Sequence, residues 1–375
     1  MVLVSNTIQD IERRFGMLPG MRWTVAKRQI HVLRKHEWEL SMKLHERIAF
    51  ACLMVMSGQT PAHAETDAAL ALLRTIAAPA PAAKSVRRLG STVRFGKDGS
   101  ISKSVSNLGV VSKVKGDRSV GSVSFEDITL DGSTFLYRAY KWSDLIDRLT
   151  VRRVRATNNG AGFLLLRGPF SSVLIEDVYV DAERPNTETG KVPEGIALSG
   201  KTPTDTGNNT IIRRAYIKGI RSKFETNKFE NGDAFAVERG YRNVVIEDSY
   251  GGWNSDAGFD IKSPTAHLDR VISEGNRRNF KFWANQSHGT LTSIDPGQPG
   301  SGASAHIQLL GSPGLVQTMR IDRLVAVSSN KTPVFVVEGG KWIIEVASCD
   351  FKVPTGTPIL LGAGELKVGP GCSVR

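Results

Sequence analysis

One pattern recurs along this chain and limits its fold more than any other feature. From about residue 120, runs such as "LTVRRVRATN" (149–158), "VLIEDVYVDA" (173–182), "TIIRRAYIKG" (210–219) and "VVIEDSYGGW" (244–253) repeat. "AHLDRVISEG" (266–275), "MRIDRLVAVS" (319–328) and "WIIEVASCDF" (342–351) follow them. Each joins a β-branched alternating run to a charged pair and a second short alternating run. A period of two belongs to strands, not helices. Between these runs sits a shorter repeat with apolar outer members: "FLL" (163–165), "IAL" (196–198), "FAV" (235–237), "FDI" (259–261), "FKF" (280–282), "IQL" (307–309) and "FVV" (335–337). The shortest spacings match one coil of a parallel β-helix, and the longer ones leave room for projecting loops. The expectation is an all-β solenoid in which each coil buries its apolar residues against its neighbours. A β-sandwich gives alternating strands too, but has no reason to keep this spacing. No blade signature of a propeller occurs.

The chain has 375 residues and a formal charge of +12, which points to an acidic partner: nucleic acid, an anionic membrane or a polyanionic sugar. The N-terminal region narrows the choice. From Met42, Lys43 and Arg47 precede an apolar run, Ile48 to Met56, which ends before Ala62-His63-Ala64. That order is a secretory signal peptide, and the run is too short to span a bilayer, which takes about 20 residues. Residues 1–64 are read as a leader with the signal over 42–64; residues 1–41 either lie upstream of a start at Met42 or make the leader unusually long. Without that leader, 40 Lys/Arg stand against 32 Asp/Glu, a charge of +8, and export disfavours nucleic acid. The expected location is secreted or periplasmic, with no membrane span and a monomeric chain.

Residues 65–118 hold a short helix, "TDAALALLRTIA" (66–77), then the breaker "APAPAA" (78–83) and first strands. The helix either caps the open end of the solenoid or is a tether. Residues 119–375 form the solenoid. Cys349 and Cys372 are 23 residues apart, close to one coil, so they are either bridged or two buried thiols.

Stacking aligns equivalent positions in columns. The middle residues of the triplets form an outward column: Leu164, Ala197, Ala236, Asp260, Lys281, Gln308, Val336. Only its centre is charged. A second column, just before the triplets, holds Glu194, Asp233 and Asp256. Asp233, Asp256 and Asp260 therefore converge. Clustered carboxylates repel unless a cation joins them, and oxygen ligands on a fixed scaffold suit Ca²⁺. Arg277 and Arg278 lead into the lysine strand, and Lys262 and Arg239 lie nearby. Inserts at 182–194, 199–208, 221–231 and above all 284–305 are expected to wall a groove.

Here the chain resembles a family. "NGDAF" with Asp233, "NSDAGFD" with Asp256 and Asp260, and "NFKF" with Lys281 are similar to the site of right-handed parallel β-helix polysaccharide lyases of the pectate-lyase type, closest to polysaccharide lyase family nine. The motif resemblance covers residues 231–282. It implies Ca²⁺ on Asp233, Asp256 and Asp260, and β-elimination on a uronate. In that reading Lys281 is the base, with its pKa lowered by the metal and by Arg277 or Arg278. Lys262, Arg239, Glu194, Gln308 and His288, read from their place near this cluster and not from the resemblance, are the candidate substrate contacts. Ala257 departs from the family, which carries a second aspartate there. Two other readings stay open: a glycoside hydrolase with paired carboxylates, and a non-catalytic polysaccharide-binding or export-associated protein.

Overall fold

The computed structural model describes residues 93–94, 102–106, 114–115, 120–131, 136–138, 146–157, 162–167, 170–182, 192–199, 207–222, 231–297 and 303–374. The expected leader, the helix expected at 66–77 and the inserts near 183–191, 200–206 and 223–230 lie outside the described residues. The chain divides into two units, Met1–Asp67 and Ala68–Arg375, and everything described belongs to the second.

The described residues are all-β. A 13-stranded sheet, a nine-stranded sheet and a two-stranded sheet account for the strands, and neighbours pair in parallel. The chain passes from one large sheet to the other in turn. Phe170–Asp181 lies in the long sheet, Glu194–Leu198 in the shorter, Gly207–Lys218 in the long and Asp233–Val237 in the shorter. No helix among the described residues is long and apolar enough to cross a membrane.

Parallel in-register stacking sets like on like, and the core shows it. Phe235, Phe259 and Phe280 stack with ring centroids 4.7 and 5.3 Å apart, all at 0% exposure. On another face Tyr179, Tyr216 and Tyr250 stack at 4.8 and 4.6 Å. The bend into the shorter sheet is held by buried asparagines. Asn276 accepts both the backbone N–H and the side-chain N–H of Asn254, and Asn254 accepts the N–H of Ile220. Backbone groups that a bend leaves without a strand partner are thus satisfied inside the protein.

The charged pairs of the repeat form a ladder of alternating sign. Glu126, Arg152, Glu176, Arg213 and Glu247 are successive register partners. The residue after each adopts a left-handed backbone: Asp127, Arg153, Asp177, Arg214 and Asp248, with φ of 48–55°.

Two expectations change. The segment 284–305 is not loop throughout: Gln286–Ile294 is a strand of the long sheet. Its polar residues, "QSHGTLTSI", hide the alternation. In the first triplet the register partner of Ala197 is Leu165, while Leu164 pairs with Ile196 in the core. The outward column therefore runs through Leu165 and not Leu164.

Near the C-terminus Cys349 and Cys372 are register partners joined by a disulfide. The last strand, Gly364–Val374, lies at the end of the long sheet. Opposite Ala347, between the partners of Val346 and Ser348, it carries one extra residue, so that Gly369-Pro370 form a bulge.

Candidate functional site

The shorter sheet turns one face to the apolar core and the other away from it. In the outward column Leu165, Ala197 and Ala236 form a small apolar cluster. Next come Asp260, Lys281 and Gln308, each the register partner of the one before, from Ala236 onward. This stretch is not solvated, as an outward lysine would ordinarily be: Asp260 is 5% exposed, Lys281 8% and Gln308 2%.

A local irregularity brings Asp256 to the same place. The Asp256 N–H bonds to Gly232 O, which sets Asp256 against Asp233, while Phe259 pairs with Phe235. The run from 256 to 259 therefore holds one residue more than the run from 233 to 235. Ala257 is level with Arg278 on the next strand, and its N–H goes to Asp233 Oδ1 at 2.8 Å. Such a bulge re-aims side chains.

The side chains form one network. Lys281 Nζ donates to Asp256 Oδ2 at 2.9 Å and to Asp260 Oδ2 at 3.4 Å. Arg278 Nη1 donates to Asp256 Oδ1 at 2.5 Å. Trp283 Nε1 donates to Asp260 Oδ1 at 2.6 Å. Lys262 Nζ lies 3.7 Å from Asp260 Oδ2 and 2.5 Å from Glu238 Oε1. The Trp283 ring sits 5.5 Å from the Lys262 ammonium and 5.9 Å from that of Lys281. Glu238 and Lys262 are the more exposed rim, at 32% and 24%, over a deeper floor of Asp256 and Asp260.

Electrostatics split the cluster in two. Burial alone would lower Lys281, but Asp260, Asp233 and Asp256 outweigh it and hold the ammonium above the ordinary lysine value. A resting base needs the opposite, so the lowered lysine expected from the resemblance is not what this site makes. Lys262 behaves alike: burial opposes its charge, and Asp260 and Glu238 raise it. On the other side are two carboxyls that, among the described residues, have no cation in direct contact. Burial raises Asp233 well above the usual carboxylate range against the pull of Lys281, with Asp256, Asp260 and Glu194 adding to the rise. Burial, then the charge of Glu238, pushes Glu194 up to about 7. Glu194 is the register partner of Asp233.

Of the expected site residues, Asp233, Asp256, Asp260, Lys262, Arg278, Lys281, Glu194 and Gln308 gather on this face. Gln308 keeps a buried Oε1 with no hydrogen-bond partner. Arg277 is buried, at 1% exposure. Arg239 lies in an exposed turn between strands and makes no part of the network. His288 is a correction. It is fully buried, stacked at 4.5 Å on the core ring of Phe282, and accepts the Leu268 N–H at Nδ1. Burial and the neighbouring His267 lower it to about 3, so it is a neutral core residue. Trp283 and Glu238 were missed. Both follow their triplets by one position, where no repeat marks them.

The residues as they stand do not fit a calcium ion. Both oxygens of Asp256 and both of Asp260 are engaged by Arg278, Lys281 and Trp283, and one of Asp233 by a backbone N–H. Among the described residues no group of three or more His, Cys, Asp or Glu side chains is gathered to hold a metal. Comparison with protein-family models, curated proteins and solved structures finds no match for this chain.

Proposed function

We propose that this chain is a right-handed parallel β-helix whose buried polar cluster binds an acidic, uronate-containing polysaccharide and cleaves it by β-elimination. The handedness follows the general rule for parallel crossovers. The reading rests on one observation: the Asp260–Lys281 rung, buried with Asp256 and Arg278 beside the apolar outward cluster of Leu165, Ala197 and Ala236. Burying several charges is unfavourable unless they are paired, and perturbed charge clusters of this kind collect at functional sites. The orphan Gln308 carbonyl oxygen offers an acceptor for a sugar hydroxyl.

In β-elimination the C5 proton leaves, the C4–O bond breaks with its electron pair going to the departing oxygen, and a C4–C5 double bond forms. Water protonates the departing oxygen. Negative charge grows on the uronate carboxylate, and Lys281 and Arg278 are the cations that face it. A base that works near neutrality has a pKa near 7. That assigns proton uptake to the Glu194–Asp233 carboxyl pair, with Lys281 kept as a cation. The signal-like order from Met42, together with the Cys349–Cys372 bridge, supports export to an oxidising compartment. The partner class is an anionic polysaccharide, not nucleic acid, and the acting species is proposed to be the monomer.

A second reading, hydrolysis of the glycosidic bond, has its own support: a carboxyl raised to about 7 also suits a general acid. Incubation with a panel of polyuronates separates the two. Elimination gives a near-ultraviolet absorbance from the unsaturated uronate, and the rate rises as pH climbs past about 7. Hydrolysis gives reducing ends without that absorbance, and the rate falls over the same interval. Lys281→Arg retains activity within about tenfold, and Lys281→Met loses about 10²-fold or more. An inactive, well-folded Lys281→Arg would return the base role to Lys281. No cleavage and no binding across the panel would sink both readings.

A further inference from the structure

We propose that Lys281 and Arg278 stand where a divalent cation would, so that the cluster is a metal-free site with its positive charge built into the chain. The inference deepens the polysaccharide reading by saying what neutralises the cluster's acids, and it rests on that reading only for the identity of the substrate.

Three observations carry it. Asp256 is the carboxylate at which the cluster closes, and its two oxygens are divided between Arg278 Nη1 at 2.5 Å and Lys281 Nζ at 2.9 Å. Those groups bring two positive charges, the number a divalent ion brings. Next, beyond the carboxylates of Glu194, Asp233 and Asp256, the following strand brings a guanidinium, Arg278, level with the methyl of Ala257. A calcium ion takes about 6–8 oxygens, and the stack stops supplying them where the guanidinium begins. Lastly, the remaining oxygens have other work. Asp260 is held by Trp283 and Lys281, with Lys262 at 3.7 Å, and Asp233 Oδ1 by the Ala257 N–H. An entering ion would have to displace a buried ammonium and a buried guanidinium from Asp256, breaking both of their bonds to it. Breaking one side of a buried pair is strongly unfavourable.

A built-in cation differs from a bound one in two ways. It cannot be stripped by a chelator, and its geometry is fixed by the one strand, Arg278–Phe282, that carries both groups. Removal of the ammonium should therefore open a vacancy that a real divalent ion can fill.

The test is a calcium titration of the full chain by calorimetry, with melting temperature followed in parallel with and without chelator. The wild-type chain is expected to show neither binding heat nor a chelator-reversible shift. Lys281→Met, which keeps the stem and removes the charge, is expected to gain calcium binding, seen as a rise in melting temperature that chelator reverses. Lys281→Gln serves if the first variant does not fold. Calcium binding by the wild type that Asp256→Asn abolishes would overturn the proposal. So would a folded Lys281 variant that gains no binding, since the ammonium would then not be what fills the place of the ion. Neither outcome depends on cleavage. Failure of the polysaccharide reading would show as no product and no polyuronate binding, with the calcium result unchanged.

Discussion

Asp233 carries a carboxyl into a place where a negative charge is poorly tolerated. Its folded pKa is raised above the unfolded one, with burial the leading cause. The stability linked to such a group is fully present below the unfolded pKa and is lost as pH rises through the folded one. Asp233→Asn keeps the acceptor for the Ala257 N–H and removes the titration. It should stabilise the chain by about 1–3 kcal/mol at pH 8 and by almost nothing near pH 4. Urea unfolding of both proteins at the two pH values checks this, and a gain independent of pH would remove burial of the charge as its cause. Glu194 acts with the same sign, its contribution fading between 4.5 and about 7. At this scale much was legible in the sequence, because the spacing of Asp233, Asp256, Asp260 and Lys281 matches the coil. The charge state of Lys281 was not, since it depends on how many carboxylates surround one ammonium. His288 misled because a local His-Gly pair says nothing about which side of which sheet it faces.

The strands of the long sheet are tied at their turns by the ladder of alternating charge. Glu176 is the rung where most of it meets: Arg152 at 2.9 Å, Arg213 at 2.6 Å, and Arg214 as well. Its side chain is 3% exposed, while the arginines remain more than a third exposed. Burial alone would raise Glu176, but hydrogen bonds from Arg214 and Arg213 hold it below its ordinary value. Left-handed backbone at a non-glycine residue is unfavourable by about 1–2 kcal/mol, and Arg214 and Asp177, which adopt it, are paired with each other at 2.6 Å. Glu176→Gln should destabilise the chain by about 1–3 kcal/mol, discounted for the solvent around the arginines. Denaturant midpoints measure it, and a change within about 0.5 kcal/mol would mean the arginines are served by water. The charged pairs were visible in the sequence as part of the repeat. Their alternation gains meaning only in a parallel register, which sets glutamate on arginine. The extra residue at Ala257 could not be read from the sequence, because a bulge leaves the strand pattern on either side intact.

Across the whole molecule, repetition made the all-β, parallel character legible before any coordinates. The same repetition says nothing about where stacking stops. A stack of identical rungs offers its last edge to any further strand. Here that edge is Gly364–Val374, with Pro370 between two glycines and Lys367 and Glu365 exposed. Proline lacks the N–H an incoming strand would need, and the charges discourage approach.

The Cys349–Cys372 bridge fastens that strand to Lys341–Lys352. The strand beneath is twelve residues long, "KWIIEVASCDFK", with no proline or glycine. Thiol chemistry at one point is thus expected to decide whether that edge stays covered. Reduction, or Cys372→Ser, should let the terminal strand fray and turn the exposed edge into a template for other copies. Light scattering and thioflavin fluorescence of oxidised and reduced protein at 37 °C follow the change, and a reduced chain that stays monodisperse would show that Pro370 and its flanking charges are barrier enough.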